Sequence, residues 1–245
     1  MFKAVLKSDT LKGMVDIVST LIDEIKFTIN ADGMTLKAVD PAHVAMIELE
    51  VNKEAFDSYE AEDTELGLDL DKVKGVLKLA SSGDMICLEQ DEIHGRLVFK
   101  VGNITRRMNL VDTSTMNDPK VPSLNLPSMV TVASDELLKG IRAAESISDH
   151  LALKSGPDFF ELSCEGETDS VSLRLDKDKL EEIESPEETV SQFPLDYFSN
   201  IIKAIPGGTL VRIELGQDHP LKLLFGLADG NVTVNYLLAP RIENE

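Results

Sequence analysis

The chain is poor in the residues on which most enzymes and most secreted folds depend. Its 245 residues include two cysteines, four histidines and no tryptophan. Cys87 and Cys164 lie in apolar, strand-like contexts without CxxC or Cys/His spacing. That excludes a zinc site and a disulfide framework, and reads as two buried thiols in a reducing compartment. Asp40 and His43 are close enough in sequence to suggest a carboxylate orienting a base. No Gly-x-Ser-x-Gly elbow, phosphate loop, second acid or ligand-spaced histidine set joins them, and His94, His150 and His219 stand in unrelated contexts. The expectation is therefore no catalytic residue, no metal and no cofactor. Long apolar runs are also missing: nowhere do about 18 uncharged apolar residues follow one another, and "MFKAVLKSD" is too short for a secretory h-region. A cytosolic, membrane-free protein is expected. The last shortage is of positive charge. Only 24 Lys and Arg face 44 Asp and Glu, a formal net charge of -20, and a field of that sign argues against indiscriminate binding to nucleic acid or anionic membrane.

What is present is repetition. "LDKVKGVLKLA" from Leu70 returns as "LDYFSNIIKAI" from Leu195, pairing Asp71 with Asp196, Val76-Leu77 with Ile201-Ile202, and Lys78 with Lys203. "GDMICLEQD" parallels "GTLVRIELGQD", "RLVFKVG" resembles "LKLLFGLADG", and "SDTLKGMVDIV" matches "SDELLKGIRAA" with a one-residue shift that aligns Lys12-Gly13 with Lys139-Gly140. Two copies of one unit are expected, each with two helices and many strands.

The helices have readable ends and one apolar stripe each. Ser8 or Asp9 is expected to cap the first, which buries Leu11, Met14, Val15, Val18 and Ile22. The second begins near Asp71 and buries Val73, Val76, Leu77 and Ala80. Ser134 caps the third, over Leu138, Ile141 and Ala144, and Asp196 starts the fourth, over Phe198, Ile201, Ile202 and Ile205. Alternating segments such as "EIKFTI", "ITRRMNLV", "SVSLRLD" and "VTVNYLLA" read as strands, so the fold class is α+β, antiparallel sheets backing two helices in each domain. The domains span residues 1–111 and 129–245. The proline-bearing stretch 112–128 is an extended connector, and "DKDKLEEIESPEETVSQ" reads as a charged, solvated loop.

Acids occupy the first helical turns, where they complement the macrodipole. Lys12, Lys74, Lys78, Lys139, Arg142 and Lys203 lie off the apolar stripes, and past the first turn only Asp16 and Glu145 oppose them. If the halves are related by a pseudo-rotation, these cations sum into one basic surface on a negative body. The helices offer neither the Asn, Gln or paired Arg of base-edge readout nor exposed aromatics for stacking. Nonspecific, salt-dependent contact with duplex phosphates is the chemistry they fit.

The run "ADGMTLKAVDPAHVAMIEL", residues 31–49, and the C-terminal "NYLLAPRIENE" closely resemble the proliferating cell nuclear antigen family, the sliding DNA clamps of archaea and eukaryotes. The likeness extends over the whole chain. It implies ring-shaped homotrimers, or heterotrimers in some archaea, with helices lining a channel around DNA and sheets outside. The family's channel cations fall on the six residues just named, although Gly13 and Ser19 replace residues often basic in relatives. The resemblance also implies a peptide-docking groove built from Val39, His43, Val44, Met46, Leu126, Pro220, Leu237, Leu238, Ala239, Pro240 and Ile242. It would take a short helical turn with one aliphatic and two aromatic side chains. Leu126 stands where some relatives carry tyrosine. Subunits would pair edge strands, here Arg106, Arg107 and Met108 against Asp169, Ser170, Val171, Ser172 and Arg174. The implied partners are duplex DNA, a clamp loader, and DNA polymerase, flap nuclease and DNA ligase bound through docking peptides. The location is cytoplasmic for an archaeal protein, nuclear for a eukaryotic one. A competing reading is a subunit of a heteromeric ring, or an interaction scaffold that does not encircle DNA as a homotrimer.

Overall fold

The computed structural model describes residues 1–241. They form two compact units, one of Met1–Pro41, Ile47–Lys120 and Gly226–Val234, the other of Ala42–Met46, Val121–Phe225 and the chain from Asn235.

In chain order the first half carries β1 (Phe2–Lys7), α1 (Ser8–Val18), β2 (Glu24–Asn30), β3 (Gly33–Val39), β4 (Ala45–Asn52), β5 (Ser58–Ala61), β6 (Thr64–Asp69), α2 (Leu70–Leu77), β7 (Met85–Asp91), β8 (Arg96–Val101) and β9 (Ile104–Asn109). Within the first unit one antiparallel sheet runs β5-β1-β7-β8-β9, and a second set runs β4-β3-β2-β6. Helix α1 packs on α2 and β1. Leu11, Met14, Val15 and Val18 of α1 and Val73 and Val76 of α2 are buried with Phe2, Leu6, Ile25 and Phe27.

The second half carries β10 (Ser128–Ala133), α3 (Ser134–Ala144), β11 (His150–Gly156), β12 (Phe159–Glu165), β13 (Ser170–Asp176), β14 (Glu182–Glu184), β15 (Thr189–Pro194), α4 (Leu195–Ala204), β16 (Leu210–Leu215), β17 (Leu221–Leu227) and β18 (Val232–Leu238). In the second unit the orders are β14-β10-β16-β17 and β13-β12-β11-β15, with α3 packed on α4 and on β12 and β13.

The duplication holds at the level of single hydrogen bonds. Ser8 N donates to Asp84 O at 2.8 Å, and Ser134 N to Thr209 O at 2.9 Å. Their hydroxyls donate to Ser81 O and Pro206 O. The next residues, Asp9 and Asp135, accept from Gly83 N and Gly208 N, each at 2.8 Å. Both glycines have positive φ, 84° and 78°, a conformation that costs an L side chain about 1–2 kcal/mol. The expected serine caps are thereby corrected. Ser8 and Ser134 are the first helical residues, and the cap positions, Lys7 and Ala133, make no side-chain cap bond. Serine and aspartate are used to tie each helix start to the loop that follows its partner helix.

This equivalence also corrects the helix register. Ser8 matches Ser134, so Leu11 corresponds to Leu137 and Lys12 to Leu138. Leu137 is fully buried and Leu138 only half-buried. Lys139 is then one residue further along its helix than Lys12, a rotation of about 100°. In α2 and α4 the alignment stands, with Leu70 N and Leu195 N donating to Asp23 O and Asp149 O.

A second correction concerns residues 176–192, expected to be a charged, solvated loop. Strand β14 pairs with β10, and β15 pairs with β11 over six residues. Its inward residues are Thr189, Ser191 and Phe193, all buried. Hydrophobic periodicity misses such a strand because hydroxyls occupy two inward positions, and burial demands partners for them. Ser128 Oγ lies 2.9 Å from both Ser185 Oγ and Thr189 Oγ1, Ser185 donates to Ser155, and Ser191 donates to Gly216 O.

Candidate functional site

The six cations lie on two packed helix pairs, Lys12, Lys74 and Lys78 in the first unit, Lys139, Arg142 and Lys203 in the second. All are exposed or half-buried, on faces away from the apolar stripes. Lys78 is the C-cap residue of α2, one position past its end. Four of the six are held by acids. Lys12 pairs with Asp16, Lys74 with Asp71 at 3.7 Å, Lys139 with Glu136 at 2.6 Å, and Lys203 with Glu145. Pairing by Asp16 and Glu145 agrees with their positions past the first turn. Asp71 and Glu136, acids of the first helical turns, each also reach forward three residues to a lysine. Lys78 closes no ion pair among the described residues. Glu145, the C-cap of α3, is the most engaged acid, since it also accepts from Ser199 Oγ of α4 at 2.6 Å. Lys203 first, and Ser199 after it, hold the Glu145 carboxyl below the ordinary carboxylate range. The helix faces thus carry a mixed, partly self-neutralised charge pattern. Tyr197, on α4, is half-buried.

Most of the expected groove residues fall in the second unit. The segment Ala42–Met46 presents His43 exposed, in the left-handed region at φ 58°, followed by half-buried Val44 and buried Met46. Val44 O accepts from Ala239 N at 2.8 Å, which fixes the chain beyond β18 against this segment. Leu237 and Leu238 are buried, the latter fully, so they belong to the core of β18, while Ala239 and Pro240 are partly accessible. Leu126 and His219 both lie beside Gly216. A Cβ on Gly216 would stand 3.0 Å from Leu126 Cδ2, so the missing side chain makes the room. Pro220 follows, half-buried. Val39 belongs to the first unit, and Ile242 lies outside the described residues. Past Pro240, Arg241 N donates to Gln192 O at 2.7 Å, and its guanidinium sits 3.0 Å from both Asp149 and His150 Nδ1. His150 and Arg241 together lower the Asp149 carboxyl. Neither Arg241 nor its partners were singled out from the sequence; a cation directly after Leu-Leu-Ala-Pro was the available signal.

The connector begins with an anchor that sequence reasoning also missed. Val111 bridges to Gly67, where a Cβ would lie 2.1 Å from Val111 O. Thr113 donates to Glu65 at 2.9 Å. Lys26, on β2, reaches Met116 O and Asp118 at 3.0 Å and Glu65 at 3.4 Å, with its side chain only 11% exposed. The bond to Asp118 is the chief reason that its ammonium is held above the usual lysine range.

Strands β9 and β13 each end their sheet. On β9, Arg106 and Arg107 are exposed, while Met108 is 4% exposed and faces inward opposite Leu97, which removes it from the expected contact row. The Arg106 guanidinium lies over Gly75 of α2, a nitrogen 3.2 Å from where a Cβ would be. On β13, Ser170, Ser172 and Arg174 are exposed and Val171 half-buried. Arg174 stacks 3.7 Å above the Phe159 ring and Ser172 donates to Glu161. Asp169, before the strand, accepts from Gly166 N. Asp40 is 3% exposed whereas His43 is exposed.

The chain matches two family descriptions in tandem, "Proliferating cell nuclear antigen, N-terminal domain" over residues 1–117 and the corresponding C-terminal domain over 120–241. It is 40% identical over 246 residues to the DNA polymerase sliding clamp of Methanococcoides burtonii, with 100% of both chains covered. The DNA polymerase sliding clamp of Natronomonas pharaonis is 38% identical over 248 residues, again with 100% coverage of both. Among solved structures, that of the C-terminal region of FEN-1 bound to A. fulgidus PCNA superposes with a TM-score of 0.94 at 31% identity, over 100% of each chain. The chain belongs to the proliferating cell nuclear antigen family.

Proposed function

We propose that this protein is a DNA polymerase sliding clamp, a non-catalytic processivity factor that encircles duplex DNA as a trimer and tethers enzymes to it. The observation that carries the reading is end-to-end likeness to sliding clamps in both halves. The two helix pairs, one in each unit, with Lys12, Lys74 and Lys78 on the first and Lys139, Arg142 and Lys203 on the second, each supply contacts to duplex phosphates. Such contacts to phosphate carry no sequence information and favour no register, which is what sliding requires. Ring closure is assigned to β9 against β13, through Arg106, Arg107, Asp169, Ser170, Val171, Ser172 and Arg174.

Partners dock on the surface formed by His43, Val44, Leu126, Pro220, Ala239 and Pro240, over the buried Met46, Leu237 and Leu238. Residues 112–128 act as the connector over it, between domains 1–111 and 129–245. The likeness to a clamp bound by a FEN-1 C-terminal region supports a flap nuclease as one partner. DNA polymerase and DNA ligase use the same surface, and a clamp loader opens the ring. Tethering raises a catalyst's effective concentration at its substrate without altering the chemistry.

The test is retention on nicked circular DNA, measured before and after linearisation. A threaded ring stays on the circle and leaves the linear form. Equal retention on both would refute the topological reading. Light scattering of the purified chain reports the assembly, and a monomer that trimerises only with related chains would favour a heteromeric ring.

A further inference from the structure

Lysine in a mid-strand position normally keeps its ammonium in water. Lys26 does not. Ile25, Phe27 and Ile29 of β2 face the core, and Lys26 lies on the other face, covered by the beginning of the connector. An ammonium has three N–H donors. Here three acceptors meet it: Asp118 and Met116 O at 3.0 Å, and Glu65 at 3.4 Å. Two of the three belong to the connector, and the third, Glu65, also accepts from Thr113 of the connector.

We propose that Lys26 is a positioning residue for partner docking, a polar clasp that fixes the start of the connector and so sets where Leu126 is presented. This rests on the reading of the Leu126 surface as the docking site. Residues 112–118 bury little apolar surface: Asp112, Ser114, Thr115, Asn117 and Asp118 are exposed and only Thr113 and Met116 are partly covered. Their place is therefore set by polar contacts. At the far end Ser128 is fixed by the buried hydroxyls of Ser185 and Thr189. With the clasp closed, the span between it and Leu126, whose side chain lies beside Gly216, is residues 119–125. Without it, the span grows to residues 114–125, held by Thr113 and the Val111–Gly67 bridge. With effective concentration falling as roughly the −3/2 power of length, that lengthening alone weakens presentation of Leu126 about twofold. Disorder of the released segment adds to it.

The test uses the full chain and an uncharged fluorescent peptide with one aliphatic and two aromatic side chains at helical spacing. Lys26→Met, which removes all three bonds, is expected to weaken binding about twofold, Asp118→Asn, which leaves Met116 O and Glu65 in place, by a smaller factor, and the double variant no more than Lys26→Met, because both act on one clasp. Lys26→Arg restores binding, and amide hydrogen exchange at residues 114–118 accelerates in the weakened variants. Asp118→Asn lies on the connector and leaves the sheet intact, so its result stands even if Lys26→Met destabilises the fold. Lys100→Met breaks a comparable pair with Glu89 on β7 and β8 and leaves peptide binding unchanged. Failure of the unaltered protein to bind the peptide would overturn the docking surface and this role with it. Binding that Lys26→Met and Asp118→Asn leave unchanged would overturn the clasp alone.

Discussion

Replacing Glu145 by Gln tests whether the helix faces meet DNA. Glu145 accepts from both Lys203 and Ser199, and the two donors lie on α4 while the acceptor ends α3. Glutamine keeps an oxygen for Ser199 and removes the charge that holds Lys203. Lys203 is 44% exposed and Glu145 37%, so the pair is screened and its loss costs only about 0.2–1 kcal/mol of stability. The freed ammonium becomes available to a phosphate. Each added phosphate contact steepens the dependence of log affinity on log salt by about 0.9, so between about 50 and 200 mM salt the variant should lose roughly 3.5-fold more affinity than the parent, starting from tighter binding. Fluorescence anisotropy with a short duplex across that salt range measures it. Asp16→Asn, which frees Lys12, should act alike, and the two changes should add. Glu89→Gln is the control, since it changes net charge equally but frees Lys100 on the five-stranded sheet. An unchanged slope for Glu145→Gln, or an equal steepening for Glu89→Gln, would refute the placement of DNA at α3 and α4.

Acid should act through the same residue. The Glu145 carboxyl is depressed by Lys203 and Ser199 and the Asp69 carboxyl by Lys72, so their contribution is fully present above the unfolded carboxylate range and lost as pH falls through the lower folded values. Urea unfolding from about pH 5 downward should show that loss, smaller in Glu145→Gln. At the other extreme, Tyr59 is pushed up to about 12, chiefly by burial and secondarily by Asp32. Its single O–H is shared between two carbonyl oxygens, Gly33 O at 2.6 Å and Asn30 O at 2.8 Å. Ultraviolet titration should find a late-ionising phenol that Tyr59→Phe removes, and the stability Tyr59 adds, present below the ordinary tyrosine value, should disappear as pH rises towards about 12. Gly67→Ala places a Cβ 2.1 Å from Val111 O; the backbone must part there, at a cost of about 1–3 kcal/mol, read as a lower denaturation midpoint.

The repeat, the four helices and the outer strands were legible because each is written in apolar periodicity. Phe198, Ile201, Ile202 and Ile205 fill one stripe, and "ITRRMNLV" and "SVSLRLD" alternate visibly. What escaped was written in hydrogen bonds. Thr189 and Ser191 face inward on β15 through hydroxyls whose acceptors lie on other segments, and no period in a single segment marks them. Leu137 and Leu138 are chemically alike; only the bond from Ser134 N to Thr209 O, matching that of Ser8 to Asp84, selects the first for the core. The cations were legible as residues off the stripe, yet their pairing was not, because Asp71 and Glu136 suit a helix N-terminus equally well alone. Lys26 marks the boundary of what pattern can reach. In "EIKFTI" it is an ordinary outward residue of an alternating strand, and its burial is created by a connector more than 80 residues later whose Asp118 and Met116 O come to rest on it. A residue whose environment is supplied by distant backbone has no local signature. The contacts of Lys26 and of the buried hydroxyls around Ser128 are of that kind, and the cations of the duplicated helices are not. DNA contact can therefore be proposed from the sequence, whereas the role proposed for Lys26 can be argued only from the folded chain.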